Sequence, residues 1–219
     1  MDMADGALGT HSGLGGRFIR LVALVARLRR DCPWDAEQTH RSLAKHLVEE
    51  TAETLDAIEV GTPDDLREEL GDLLIQVCFH AELARQDGWF TVDDVVDEVM
   101  AKLIARHPWV FEAQAAPADM MASWEAAKRA EKARSSCLDG IPEALNSLAR
   151  ATKVITRVRD VGLDVDLTDP LESGDGEAGR VGRALLALVG EAHTAGVDAD
   201  QALRDAVRHL EARVRTAEA

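Results

Sequence analysis

Apolar residues recur every three or four positions along most of this chain, the spacing of one helix face. In "RFIRLVALVARL" (17–28) Phe18, Leu21, Val22, Val25 and Leu28 share a face, and Arg20 and Arg27 interrupt the run. The stretch therefore reads as an amphipathic core helix, not as a signal sequence. The same spacing predicts helices over 17–30, 39–60, 63–87, 92–106, 118–134, 142–160, 179–195 and 199–215, with no strand of consequence. The second helix carries the stripe Leu43, Leu47, Thr51 and Ile58, and the third carries Leu66, Leu70, Leu73 and Val77.

Punctuation supports these elements. Gly61 marks a stop, and Thr62-Pro63-Asp64-Asp65 supplies an N-cap, a first-turn proline and an acidic first turn. Thr91 with Asp94 repeats the cap, and Gly162 and Gly196 mark further stops. Residues 1–16 read as a mobile tail, and "DVDLTDPLESGDGEAG" (164–179) as a turn-rich surface loop. A faint repeat pairs "LGDLLIQV" (70–77) with "VGRALLAL" (181–188) and "KLIAR" (102–106) with "HLEAR" (209–213), suggesting two related helical units.

Composition narrows the class. The chain has 219 residues, 46% hydrophobic and 30% charged, no Tyr, four Phe and four Trp, which favours a globular helical protein. Its net charge of −15 would repel a nucleic-acid duplex or a membrane surface. A small anion remains a possible substrate if a cation bridges it to the acids. Cys32, Cys78 and Cys137 show no CxxC pairing and suit a reducing cytoplasm. No segment has the length needed to cross a bilayer.

Chemistry concentrates in "LVEETAETLDAIEVGTPDDLREELGDLLIQV" (47–77), where Arg67 is the single basic residue. Glu50 and Glu53 share one helix face, as do Glu49 and Glu53, and Glu69 and Asp72 share a face of the next helix. Glu50 and Glu53 lie roughly 14 Å before the turn at 61–62, and Glu69 and Asp72 roughly 13 Å after it. The two pairs are thus nearly level, and Glu50 and Glu69 border the apolar stripes. Two readings follow: a solvated acidic helix pair without an ion, or carboxylates converging on Mg²⁺ or Mn²⁺. Other chemistries fit less well. Glu37-Gln38-Thr39-His40 matches half of a di-iron motif but has no second copy in the bundle's helices. There is no P-loop, no HExxH and no complete Nudix pattern. His80 shares a stripe with Glu69, Asp72 and Gln76 and reads as a satisfied core or rim histidine.

Glu49-Glu50-x-x-Glu53 followed by Glu69-x-x-Asp72 resembles the EExxE…ExxD motif of the MazG nucleoside triphosphate pyrophosphohydrolases. The likeness extends through "CPWDAEQTHRSL" (32–43), "LREELGDLLIQVCFHAELA" (66–84), "KLIARHPWVF" (102–111), "SWEAAK" (123–128) and "IPEALNSLARATKVITRVRDVGLD" (141–164). The resemblance implies an all-α bundle of the NTP pyrophosphatase type and hydrolysis of NTP or dNTP to the monophosphate and pyrophosphate. It implies Glu50, Glu53, Glu69 and Asp72 as Mg²⁺ ligands, with Mn²⁺ as a substitute, and Glu49 either as a support behind those ligands or as a residue that helps to orient and deprotonate water. Lys102, Arg106, Trp124 and Lys128 match positions that contact substrate. It further implies a homodimer or higher oligomer and a nucleotide house-cleaning role.

The organisation expected is a tail over 1–16, a catalytic unit over 17–135 and a degenerate second repeat over 136–219. In that repeat, Arg180-Val181-Gly182-Arg183 falls where a second ExxD would stand, and His209 stands in place of Lys102. The second unit is therefore expected to buttress the fold without binding Mg²⁺. The competing class is a non-catalytic helical assembly protein, which the intact acids at 49–72 disfavour.

Overall fold

A computed structural model describes residues 13–112, 115–131, 135–163 and 176–219, and every regular element among them is a helix. Most of the expected tail (1–12) and most of the loop (164–175) lie outside the described residues. Backbone contacts divide the chain into two units, Met1–Ala118 and Asp119–Ala219.

The first unit is built on a long helix hairpin, α3 (His40–Val60) and α4 (Pro63–Gln86). Capping boxes start both helices. Thr39 and Ser42 exchange bonds of 2.9 and 3.1 Å, and Thr62 and Asp65 bonds of 2.7 and 3.2 Å. Each cap satisfies amides that the first turn leaves free, a contribution of about 1 kcal/mol. The hairpin turn requires Gly61, because a Cβ there would lie 2.7 Å from Ala57 Cα and 2.8 Å from its carbonyl oxygen.

α1 (Leu14–Asp31) lies across α4 and begins three residues before its expected start. Its Val25 is fully buried with Leu43, Cys78, Phe79 and Leu83, and Phe18, Leu21, Val22 and Leu28 pack around them, the face expected from the sequence. α5 (Val92–Arg106) packs on α4, opened by a Thr91–Asp94 capping box. Two short helices were not expected, α2 (Pro33–Glu37) and α6 (Pro108–Phe111), both too brief to show a period. Arg29 anchors α2 by donating to the carbonyls of Asp35, Ala36 and Gln38, and reaches Gln86 Oε1 of α4 at 2.8 Å.

The stripes expected on the hairpin divide in two. Leu43 is buried and Leu66 and Leu73 half-buried, whereas Leu47, Thr51, Ile58, Leu70 and Val77 are exposed. Two antiparallel helices cover only the strip each turns to the other. Here that strip contains Leu43, Glu50, Thr54 and Ala57 on α3 and Glu69, Asp72 and Gln76 on α4, all buried or half-buried. The acids stand in the seam instead of bordering it. A second apolar strip, with Val48, Leu55, Ile58, Leu70, Leu74 and Val77, is exposed in the single chain.

The second unit contains α7 (Met120–Glu131), α8 (Ser147–Asp160), α9 (Glu177–Thr194) and α10 (Ala199–Glu218). α8 starts later than the expected residue 142, because Asn146 caps it by accepting from Ala149 N at 2.9 Å. Asn146 also donates to Asp200 of α10 at 3.1 Å. Ile155 and Val189 are buried between α8 and α9, and Gly162 and Gly196 take the left-handed conformation as expected of helix stops. Among the described residues no helix is long and apolar enough to cross a membrane.

Candidate metal centre

The hairpin brings together acids that are nearly twenty positions apart in the chain. One carboxylate oxygen from each of Glu50, Glu69 and Asp72 lies within 4.8 Å of the others, and all three residues are half-buried. This is the level pairing expected from the two distances to the turn. The cause is local: a stop at Gly61 and a cap at Thr62 set the helices' registers, and the intervals Glu50–Glu53 and Glu69–Asp72 keep each pair on one face.

The electrostatics are those of an uncompensated site. Partial burial raises the Glu50 carboxyl above its ordinary range, and the charges of Asp72, Glu53 and Glu69 and a hydrogen bond with Glu53 add to this. Glu69 is raised for the same reasons, burial first and then Glu53, Asp72, Glu68 and Asp65. Glu53 thus acts on both, although it lies outside the tight trio and is exposed. Among the described residues no Lys or Arg is paired with any of the four. Hard oxygen donors that converge, repel one another and lack a basic partner are the donor set a small divalent cation requires.

Glu49 points to a different neighbour. Its Oε2 lies 2.8 Å from His46 Nδ1, and the His46 ring stands at 61° to that of the exposed Trp34 with centroids 6.3 Å apart. His46 donates from Nδ1 in this arrangement, leaving one Glu49 oxygen unengaged by it. The sequence reading missed both partners, since a His three residues before a Glu is common on helix surfaces and Trp34 belongs to another element.

The remaining candidates are distributed. Lys102 is paired with Glu98 one turn earlier on α5, and Arg106 stands in the last turn of the same helix, half-buried. Trp124 and Lys128 lie on α7, in the second unit, one turn apart and half-buried. Arg180 pairs with Glu177 at 2.5 Å. The Glu37–His40 match to a di-iron motif dissolves, because Glu37 ends α2 and His40 begins α3. The expectation of a satisfied His80 is half corrected. Its Nδ1 meets His40 Nδ1 at 2.7 Å, while its buried Nε2 has no partner.

Residues 38–111, which contain this hairpin, match the MazG nucleotide pyrophosphohydrolase domain. Over 213 residues the chain is 34% identical to the nucleoside triphosphate pyrophosphohydrolase/pyrophosphatase MazG of Thermotoga maritima, covering 87% of this chain and 81% of that protein. It is 42% identical over 207 residues to the nucleoside triphosphate pyrophosphohydrolase of Mycobacterium tuberculosis, 93% of this chain but 59% of that longer protein. An uncharacterised 26.1 kDa protein of Streptomyces cacaoi is 41% identical over 99% of this chain and 90% of its own length. Likeness over four-fifths of the Thermotoga maritima protein, and a domain match on the helices that bear the acids, place this chain in the MazG family.

Proposed function

We propose that this protein hydrolyses nucleoside and deoxynucleoside triphosphates to the monophosphate and pyrophosphate, using Mg²⁺, or Mn²⁺ in its place, held by Glu50, Glu53, Glu69 and Asp72. The observation that carries this reading is the convergence of Glu50, Glu69 and Asp72 within 4.8 Å, without a basic partner, in a chain of this family. Held by these carboxylates, a divalent cation would neutralise charge on a triphosphate and lower the pKa of a water bound to it. The protein supplies the rest. Glu50, Glu69 and Asp72 hold the donor set in a half-buried seam where their attraction for a cation is screened less than at the surface. Glu49, fixed through one oxygen by His46, accepts the proton of the attacking water with the other. Lys102 and Arg106 balance the outer phosphates; the parts expected of Trp124, an aromatic face for the nucleoside, and of Lys128, a further positive charge, rest on the family resemblance alone.

The exposed outer strip of α3 and α4 supports a homodimer or higher homo-oligomer in solution. The net charge of −15 favours small nucleotides over polymeric nucleic acid as the partner. A cytoplasmic house-cleaning role follows from the same reading.

Hydrolysis in ¹⁸O-water tests the bond assignment. Attack at the α-phosphorus places the label in the nucleoside monophosphate. Label confined to pyrophosphate would move the attack to the β-phosphorus and overturn the reading.

A further inference from the structure

Beyond the carboxylates, the same hairpin holds a polar contact that the proposed reaction does not use. His40 opens α3 and His80 stands in the second half of α4, forty positions away. Their Nδ1 atoms are 2.7 Å apart, and this bond spans much of the 5.0 Å between ring centres. The rings, inclined by 12°, therefore meet edge to edge. Trp89 lies beside His40 with centroids 5.4 Å apart and planes within 5°. The Nε2 atoms of both rings are buried without a partner, as is Oε1 of the nearby Gln76.

A hydrogen bond between two Nδ1 atoms holds one proton. One ring donates Nδ1–H, and the other accepts with its lone pair and carries its own proton on Nε2. If both rings become imidazolium, both Nδ1 atoms carry hydrogen, the bond is lost and two like charges face each other. Charged groups on the elements around the pair include Arg29 of α1, Asp35 and Glu37 of α2, Arg41 of α3, Glu82 and Arg85 of α4, Asp87 at its end and Asp93 and Asp94 of α5. Arg29 is itself a cation held by carbonyls and Gln86. Glu82 is occupied by Arg85 and Gln86, and Asp94 by the Thr91 cap. Among the described residues neither imidazole bonds a carboxylate. His40 is also the first residue of α3, where the helix macrodipole disfavours a cation.

We propose that His40 and His80 form an acid-sensitive clasp between the two metal-site helices, closed while the rings are neutral and opened when both are protonated. The clasp ties the start of α3 to α4 roughly 15 Å along the hairpin from Glu50. Opening it frees the end of the hairpin remote from the turn at 61–62. Burial, together with the charge that His40 can acquire, holds His80 below the ordinary histidine value, in agreement with this geometry. For a histidine so lowered, the unfolded chain binds more protons as the pH falls. The stabilisation is complete above the ordinary value and is lost as pH drops towards the folded value.

The test is a histidine-ring NMR titration of the full chain from pH 8 to 5, with thermal unfolding at the same pH values, on wild type and the His40→Phe and His80→Phe variants. The clasp predicts that His80 titrates below about 6.5, and that its midpoint rises in His40→Phe. Between pH 7 and pH 5 wild type should lose roughly 2–5 °C more in Tm than either variant. A His80 midpoint at or above the ordinary value, or the same pH dependence in wild type and variants, overturns the proposal. If a variant fails to fold, the wild-type titration still decides. Neither readout depends on nucleotide turnover.

Discussion

The helix pair α3–α4 of the first unit and the pair α8–α9 of the second use the same material to opposite ends. In the first, Glu50, Glu69 and Asp72 meet in the seam with no basic partner. In the second, polar groups are satisfied across the pair. Arg159 donates to His193 Nδ1 at 2.8 Å and to Thr194 Oγ1 at 3.0 Å, and His193 Nε2 lies 2.9 Å from Thr156 Oγ1. Arg180 and Arg183 stand where the internal repeat would place the acids, and Arg180 is paired with Glu177. A two-helix seam accepts either arrangement. Repulsive acids left without a counter-charge cost stability, and either protonation or a bound cation relieves that cost.

The largest break in this contrast comes from removing a seam acid. Glu50→Gln or Asp72→Asn should reduce pyrophosphate release at saturating Mg²⁺ by about 100-fold or more, measured by steady-state assay. A structural effect of opposite sign should accompany it. A carboxyl raised in the folded state means that the folded chain binds more protons than the unfolded one. Stability is then gained as pH falls and is poorest at neutral pH. Metal-free Glu50→Gln should therefore melt roughly 2–4 °C above metal-free wild type at pH 7.5. That advantage should shrink on acidification, and Mg²⁺ should raise the Tm of wild type more than that of the variant.

Smaller changes sharpen the comparison. His46→Phe removes the donor that holds Glu49 and should lower kcat by about three- to tenfold with little change in KM, with His46→Gln partly restoring it. Arg180→Glu combined with Arg183→Asp restores the acidic pattern on α9 alone. It should change the number of Mg²⁺ ions bound, read by calorimetry, not at all, because a one-sided acidic strip lacks the opposing pair.

The parts of this fold that follow local rules were legible in the sequence. The capping boxes at Thr62 and Thr91, the apolar face of α1 and the level heights of the two acidic pairs all depend on spacing along one helix or across one short turn. Rotation about each helix axis was harder to read. Two apolar strips run along α3 and α4, and spacing alone does not tell which faces the partner helix, so Leu47 and Leu70 were expected inside while Thr54 and Gln76 occupy the seam. α2 and α6 are shorter than any useful period. The His40–His80 contact joins residues forty positions apart whose spacing does not tie them to each other, so only the packing of the hairpin reveals it.

The most direct test of the central claim is to incubate the pure protein with Mg²⁺ and a panel of NTPs and dNTPs, beside Glu53→Gln, and to quantify monophosphate, diphosphate, pyrophosphate and phosphate. The account predicts monophosphate and pyrophosphate in equal amounts, abolished by chelation and lost in the variant. Diphosphate with phosphate, or undiminished turnover in Glu53→Gln, would contradict it.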